Sequence, residues 1–249
     1  MKTAEGTGVR WRGGPPDPTP MLKAIALGTL AQSALVLSGL LVYWIHFPPK
    51  FVGILAGFGA GALIEAIAFD LVAEAQSLDS LQFAVWMLIG AAILLIGDRI
   101  VDRRFGDEGG GGAMGIVVGS MVDGIPESAI FGIQVATGYP ITASFFAAVF
   151  VSNFPQAIAP SADLAKQGWK IGRVVRMWAL VLLFCGVASG VGYLVANTFS
   201  AVAGDRMAAL AGGGLLAMLT NSLMPFAFER GGQLAGVGTV LGFCIPLMF

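Results

Sequence analysis

Long apolar runs alternate with short polar turns from residue 21 to the end of the chain. Each run approaches the roughly 20 residues that a helix needs to cross the hydrocarbon core of a bilayer. The links carry turn-forming residues, as in Pro48-Pro49 and Gly138-Tyr139-Pro140. The pattern predicts eight membrane-spanning helices, over residues 21–46, 51–76, 81–100, 113–137, 141–165, 172–198, 206–228 and 232–249.

Two polar segments flank or interrupt these runs. Residues 1–20 contain four prolines and no apolar core, so we predict a disordered tail. Residues 107–112 read Asp-Glu followed by four glycines, which predicts a flexible loop between helices 3 and 4. The sequence therefore predicts a tail over residues 1–20 and one transmembrane domain over residues 21–249.

The composition supports an all-α membrane protein. Hydrophobic residues make up 56% of the chain and charged residues 12%, with a mean hydropathy of +0.82, whereas soluble domains carry about 25% charged residues. A net charge of −1 gives no electrostatic basis for binding nucleic acid. Cys185 and Cys244 lie in apolar runs without ligand spacing, and His46 lies in an aromatic segment typical of a membrane interface. We expect no resident cofactor.

The distribution of Lys and Arg predicts the orientation. Nine of these residues lie at the ends of helices on the side opposite the two termini: Lys50, Arg99, Arg103, Arg104, Lys166, Lys170, Arg173, Arg176 and Arg230. Positive charge is enriched on cytoplasmic loops, so we predict that both termini lie outside. Lipid is the expected surrounding, and short loops favour the plasma (inner) membrane of a prokaryote.

The predicted helix 4 carries two carboxylates on one face. Asp123 and Glu127 are four residues apart, so both project from the same side of a helix. Pro126 and Gly124 weaken the backbone hydrogen bonding of that turn. Carboxylates and free carbonyl oxygens are suitable ligands for a divalent cation, although two acids sharing a proton would explain the pair as well.

The predicted helix 5 repeats this pattern with neutral side chains. Ser152 and Gln156 share the same spacing, Asn153 lies between them, and Pro155 interrupts the turn. Alone, these residues would be explained by interhelical hydrogen bonds. Because helix 4 carries a matching turn, we predict one shared metal site formed by Asp123, Glu127, Ser152, Asn153 and Gln156.

Other polar residues in the apolar runs are candidates for an ion pathway. Helix 2 carries Glu65, Asp70 and Glu74; Asp70 and Glu74 lie near its outer end and could gather cations there, while Glu65 is deeper. Helix 7 carries Asn221 four residues before Pro225. A solvated helix end would explain Glu74 equally well.

These motifs resemble those of the ZIP (Zrt/Irt-like protein) metal-ion transporters. The helix-4 motif of that family commonly reads His-Asn-x-Pro-Glu-Gly, and helix 5 carries a related phrase; this chain has DGIPES at 123–128 and SNFPQA at 152–157. The stretches 60–75 and 211–225 are similar to the family's helices 2 and 7. The resemblance implies an eight-helix bundle with kinked helices 4 and 5 at its centre, a binuclear metal site, both ends outside, relative movement of two four-helix groups and a possible homodimer.

The chain departs from the family at most of the ligand positions. Asp123 and Ser152 replace the two motif histidines, Gln156 replaces a glutamate, and Asn221 and Ser222 replace the expected helix-7 acids. An all-oxygen set suits magnesium, manganese and calcium, whereas imidazole suits zinc, iron and nickel. We therefore expect a preference for harder cations than in a typical ZIP protein, although carboxylates also ligate zinc.

The favoured function is a permease that moves a divalent metal ion, such as zinc, iron or manganese, across the membrane. Two alternatives stay open: a degenerate ZIP-like protein with a regulatory or structural role, and a carrier of another solute in which Asp123 and Glu127 relay protons. An intramembrane aspartyl protease using Asp70 and Asp123 is disfavoured, because the Tyr-Asp and Gly-x-Gly-Asp signatures are absent. We predict that the protein is not an enzyme.

Overall fold

The computed structural model describes residues 18–105, 113–198 and 202–248, and these residues form helices joined by short turns, with no strand among them. We number the helices α1 to α8 in chain order. Their bounds are α1, Pro18–Gln32 and Ala34–Leu41; α2, Pro49–Ala66 continued by Ile67–Leu71 and Val72–Glu74; α3, Ser80–Phe105; α4, Ala113–Thr137; α5, Ala143–Lys166; α6, Ile171–Thr198; α7, Val202–Met218 continued by Leu219–Leu223 and Met224–Gly231; and α8, Gln233–Cys244 followed by a short turn, Pro246–Met248.

The helical class predicted from the apolar runs is confirmed, with differences at the ends of the helices. The first helix begins at Pro18, inside the predicted tail, because proline is tolerated in the first turn of a helix. That helix ends at Leu41, five residues earlier than the pattern predicts, and a turn containing His46 leads to α2. The remainder of the predicted tail and the glycine-rich loop at 107–112 lie outside the described residues.

The helices have the character of a multi-pass membrane protein. Within the described residues, five are long and apolar enough to cross a bilayer: Thr19–Leu41, Pro49–Glu74, Ser80–Ile100, Ile171–Thr198 and Gly204–Gly231. The shorter segment Gln233–Met248 is also apolar. α4 and α5 are not among the five; these two helices carry the polar turns, with prolines inside them at Pro126, Pro155 and Pro160.

α4 is enclosed by other helices of the bundle. It packs against α1, α6 and α7, while α5 packs against α2 and α1. Close contact between α4 and α6 depends on glycine, because a Cβ at Gly132 would overlap with the carbonyl oxygen of Ser189. Small residues of this kind allow helix backbones to approach closely in a membrane. The polar turns of α4 and α5 therefore lie in the interior of the helix bundle.

Two helices contain a π-helical turn that the sequence pattern did not predict. In α2 this turn is Ile67–Leu71 and includes Asp70, and in α7 it is Leu219–Leu223 and includes Asn221. A π-turn inserts one residue into an α-helix and often marks a functional site. Both turns thus displace polar side chains relative to a regular helix.

Candidate functional site

The most buried charge-bearing side chain among the described residues is Glu127, near the middle of α4, which is 0% exposed. Its Oε2 accepts a hydrogen bond from Nε2 of Gln32 at 2.9 Å and another from Nδ2 of Asn153 at 2.9 Å. Its Oε1 has no hydrogen-bond partner in the described part of the chain. Three helices, α1, α4 and α5, therefore meet at this carboxyl group.

Local backbone features of α1 and α4 position Gln32 against Glu127. α1 is interrupted at Ser33, whose hydroxyl donates to the carbonyl oxygen of Leu30 at 2.6 Å, immediately after Gln32. One turn before Glu127, Gly124 leaves room for the Gln32 amide. A Cβ at Gly124 would lie 3.5 Å from Gln32 Oε1 and 2.8 Å from Sγ of Cys185. A Cβ at position 124 would thus overlap with Cys185 and lie in ordinary contact with the Gln32 amide.

α5 contributes its polar turn to the same place. Nδ2 of Asn153 also donates to the carbonyl oxygen of Val149 at 2.7 Å, and the Ser152 hydroxyl donates to that oxygen at 2.9 Å. Both side chains are buried, and Ser152 lies close enough to interact with Glu127. The structure therefore brings together Glu127, Ser152 and Asn153, whereas Gln156 is only half-buried and does not take part in the two bonds to Glu127.

Asp123, the other predicted carboxylate of α4, has different hydrogen-bond partners. Ser222 Oγ of α7 donates to its Oδ2 at 3.3 Å, and Asp98 of α3 is near enough for an electrostatic interaction. Nδ2 of Asn221 donates to Oδ2 of Asp98 at 2.8 Å. We call Asp98, Asp123, Asn221 and Ser222 the α3–α7 cluster. Asp123 also interacts electrostatically with Glu127, so the cluster adjoins the Glu127 site.

The predicted pathway residues of α2 lie towards the end of the bundle where α1 begins. Nε2 of Gln134 donates to Oε1 of Glu74 at 2.7 Å, and the Thr142 hydroxyl donates to Oδ2 of Asp70 at 2.8 Å. Glu65 is deeper, 5% exposed, and its Oε2 has no hydrogen-bond partner among the described residues. The three acids are thus buried or half-buried and are not simply solvated at a helix end.

A cavity of about 590 Å³ is lined by the hydrogen-bond partners of Glu74 and Asp70. Gln134, Tyr139 and Thr142 line it together with Lys23 and Phe146, and we call it the Tyr139 cavity. The Tyr139 hydroxyl donates to Oδ1 of Asp205 at 3.3 Å, and Ser77 donates to the other oxygen of that carboxylate. Burial, and then the charge of Asp205, raise the pKa of the Tyr139 phenol, so it remains a donor at neutral pH.

Aromatic rings lie between the Tyr139 cavity and Glu127. Phe131 of α4 contacts Phe145 with ring centroids 5.0 Å apart and Phe146 with centroids 6.1 Å apart. Phe131 and Phe145 are each 0% exposed, and Phe146 borders the cavity. Phe131 lies one turn beyond Glu127 along α4 in the direction of Gln134. We call Phe131, Phe145 and Phe146 the aromatic barrier.

The chemistry of the Glu127 site is that of oxygen ligands. Within residues 18–105, 113–198 and 202–248, no three His, Cys, Asp or Glu side chains come close enough together to hold a metal ion. A cation at Glu127 would therefore need neutral oxygens from amides, hydroxyls, the backbone or water. Such ligands suit hard cations.

Several polar residues of these clusters were not identified from the sequence, among them Gln134, Asp98 and Gln32. Gln134 could have been found, because it lies eleven residues, or about three turns, beyond Asp123 and so shares its face of α4. Asp98 stands beside Arg99 near the end of an apolar run, which resembles an ordinary solvated helix end. Gln32 is a single amide in an apolar run, and nothing in the sequence connects it with Glu127.

The buried polar clusters and the helices define a multi-pass, all-α membrane protein. Neither a family model nor a curated protein matches the chain.

Proposed function

We propose that the protein is a permease that moves a divalent cation across the membrane through the Glu127 site. The observation that carries this proposal is the Glu127 carboxyl group, enclosed by three helices, with two amide donors on Oε2 and no hydrogen-bond partner on Oε1 among the described residues. Ionisable groups inside a membrane protein are costly and usually mark substrate or ion pathways. A cation that binds Oε1 would offset that cost.

The ligands available favour a hard cation. Glu127 supplies one carboxylate, Asp123 a second negative charge nearby, and Ser152, Asn153 and Gln156 neutral oxygens on α5. Manganese and magnesium prefer such oxygen ligands, and zinc and iron are further candidates because carboxylates bind zinc as well. The helix-4 and helix-5 motifs support a ZIP-like bundle, with the motif histidines replaced.

The pathway would connect the Tyr139 cavity with the α3–α7 cluster. In the orientation given by the Lys and Arg distribution, the cavity faces outside, and the acids Asp70, Glu74 and Asp205 would concentrate cations there. The aromatic barrier would have to open for an ion to reach Glu127. A movement of one helix group against the other, as the ZIP resemblance implies, would provide that opening. Residence in the plasma membrane, outward termini and a homodimer are parts of the same proposal.

Uptake into proteoliposomes tests this function. Purified protein should admit Mn²⁺, Zn²⁺ or Cd²⁺, each followed with a metal-sensitive dye in the lumen. Glu127→Gln and Asp123→Asn should each abolish uptake, because each removes a negative charge from the proposed path. Asp163→Asn is the matched control, since Asp163 is exposed and pairs with Lys166 at the surface. Unchanged uptake in both site variants would overturn the proposed path.

A second candidate is a degenerate member that carries no metal. It is favoured by the two amide donors that already satisfy Oε2 of Glu127 and by the loss of the motif histidines. Equilibrium titration of the purified protein distinguishes it, because a degenerate protein would bind none of zinc, manganese, iron or cadmium at millimolar concentration. Proton flux that needs no metal would instead favour a carrier that uses the acids as proton relays.

A further inference from the structure

Gln32 of α1 carries an unsatisfied oxygen at the centre of the bundle. The side chain is 0% exposed, and its Nε2 is used by Glu127, yet its Oε1 has no hydrogen-bond partner in the described part of the chain. An unsatisfied buried polar atom costs about 1–3 kcal/mol, and native structures contain few of them. Glu127 Oε1 also has no hydrogen-bond partner among the described residues. The hydrogen-bonded pair of Gln32 and Glu127 therefore contains two buried oxygens that accept no hydrogen bond.

The neighbouring helices leave the Gln32 amide without a side chain from Gly124 against it. The interruption of α1 at Ser33 directly follows Gln32, and Gly124 of α4 places no side chain against the amide. A Cβ at Gly124 would lie 3.5 Å from Oε1 and 3.6 Å from Nε2 of Gln32. The amide therefore lies against Gly124 of α4, two residues before Pro126, which weakens the backbone hydrogen bonding of that turn.

We propose that Gln32 is a cation ligand through Oε1 and that it sets the ion preference of the Glu127 site. The inference rests on the proposed function and adds a ligand from α1, whereas the motifs that resemble the ZIP family lie on α2, α4, α5 and α7. A bound ion would accept electron density from Glu127 Oε1 and Gln32 Oε1, and so satisfy both oxygens. An amide oxygen in this position favours Mn²⁺ over softer ions such as Cd²⁺.

A purely structural role for Gln32 and a ligand role predict opposite effects of Gln32→Glu on cation binding. If Gln32 served only to donate a hydrogen bond to Glu127, then glutamate at position 32 would remove the donor and add repulsion. If Gln32 is a ligand, Gln32→Glu keeps an oxygen in place and adds a negative charge that a cation would stabilise. Leucine removes both the donor and the oxygen. The two roles are thus separable, because they use different atoms of one amide.

The test is titration of Mn²⁺ and Cd²⁺ into the full-length protein in lipid nanodiscs. Gln32→Leu should weaken Mn²⁺ binding about tenfold or more, the effect expected when a hydrogen bond or ligand to a charged group is lost. Gln32→Glu should bind Mn²⁺ at least as tightly as the wild type. Gln32→His should shift the preference towards Cd²⁺, because imidazole is the softer ligand. Gln82→Leu, at an exposed glutamine of α3, is the matched control and should change neither affinity.

The outcomes separate this inference from the proposed function. Wild-type protein that binds neither ion would overturn both. Binding that is lost in Glu127→Gln but unchanged in Gln32→Leu, or weakened equally by Gln32→Leu and Gln32→Glu, would overturn the ligand role of Gln32 alone. If the leucine variant does not fold, the glutamate and histidine variants decide the question by affinity and ion preference respectively.

Discussion

At the scale of single residues, Glu127 and Asn153 show what the sequence could and could not predict. The repeated proline-broken turns indicated that α4 and α5 share a polar site, and Glu127 does accept a hydrogen bond from Asn153. The same pattern could not show that Asp123 contacts Ser222 of α7, because helical spacing fixes the face of a helix and not the partner that packs there. Gln32 was missed because a single amide in an apolar run has no periodicity to reveal its role.

Asn153→Leu should destabilise the protein. The change removes one of the two amide donors to Glu127 Oε2, and a hydrogen bond to a charged group contributes about 1.5–3 kcal/mol in soluble proteins and less in membranes. We expect a loss of about 1 kcal/mol in the free energy of unfolding, measured by denaturant titration in mixed micelles. Asn197→Leu, at an exposed site of α6, should have no effect; equal stability of both variants would contradict the role of Asn153.

At the scale of helices, the apolar runs predicted where the helices lie. Glycines at the contacts between helices allow their backbones to approach closely. The runs predict helices because a segment of about 20 apolar residues in lipid has no water to bond its backbone. The α-helix satisfies all of those backbone groups within the segment itself. The π-turns in α2 and α7 could not be predicted, because one inserted residue does not change the composition or the hydropathy of an apolar run. Glycines at helix contacts are visible in the sequence, but the helix that each one approaches is not.

Gly132→Val tests the contact between α4 and α6. The new side chain would overlap with the backbone of Ser189 and Tyr193, and overpacking typically costs about 1–3 kcal/mol. The melting temperature in detergent should fall clearly. Gly119→Val is a control in the same helix, because a Cβ at Gly119 would meet no described atom within 4 Å. A similar melting temperature for the two variants would show that the helices do not pack as described.

Phe145→Ala tests the aromatic barrier that α4 and α5 form. With Cys185 and Cys244 replaced by alanine, a cysteine at position 153 should react slowly with a membrane-impermeant thiol reagent added on the Tyr139 side. Removing the Phe145 ring should accelerate that reaction, because the ring separates Asn153 from the Tyr139 cavity. Thr142→Cys, at the cavity wall, should react readily with or without the ring. An unchanged rate at position 153 would show that the barrier lies elsewhere.

At the scale of the whole molecule, the proposal depends on the direction in which the bundle crosses the membrane. The turn after α2 and the turn after α4 meet at the Tyr139 end, where Ser77 and Tyr139 both donate to Asp205. The turn between α5 and α6 lies at the opposite end, with Lys166 and Lys170. Charge asymmetry predicts that this second end is cytoplasmic, so that the Tyr139 cavity would receive ions from outside.

Thiol labelling of intact cells tests this orientation. In a variant whose native cysteines are replaced, Gln76→Cys at the Tyr139 end should react with an impermeant reagent. Lys170→Cys should react only after the membrane is permeabilised. The reverse pattern would show that the protein has the opposite orientation, with the Tyr139 cavity facing the cytoplasm.

The central claim is that a cation binds the Glu127 carboxyl group inside the bundle. The most direct measurement is an anomalous-scattering map of crystals soaked in saturating Mn²⁺. If the cation binds there, the map should show a peak within about 2.0–2.6 Å of Glu127 Oε1, the range of bonds from carboxylate oxygens to hard cations. A well-ordered Glu127 with no peak beside it, at a Mn²⁺ concentration that labels surface carboxylates, would contradict the claim.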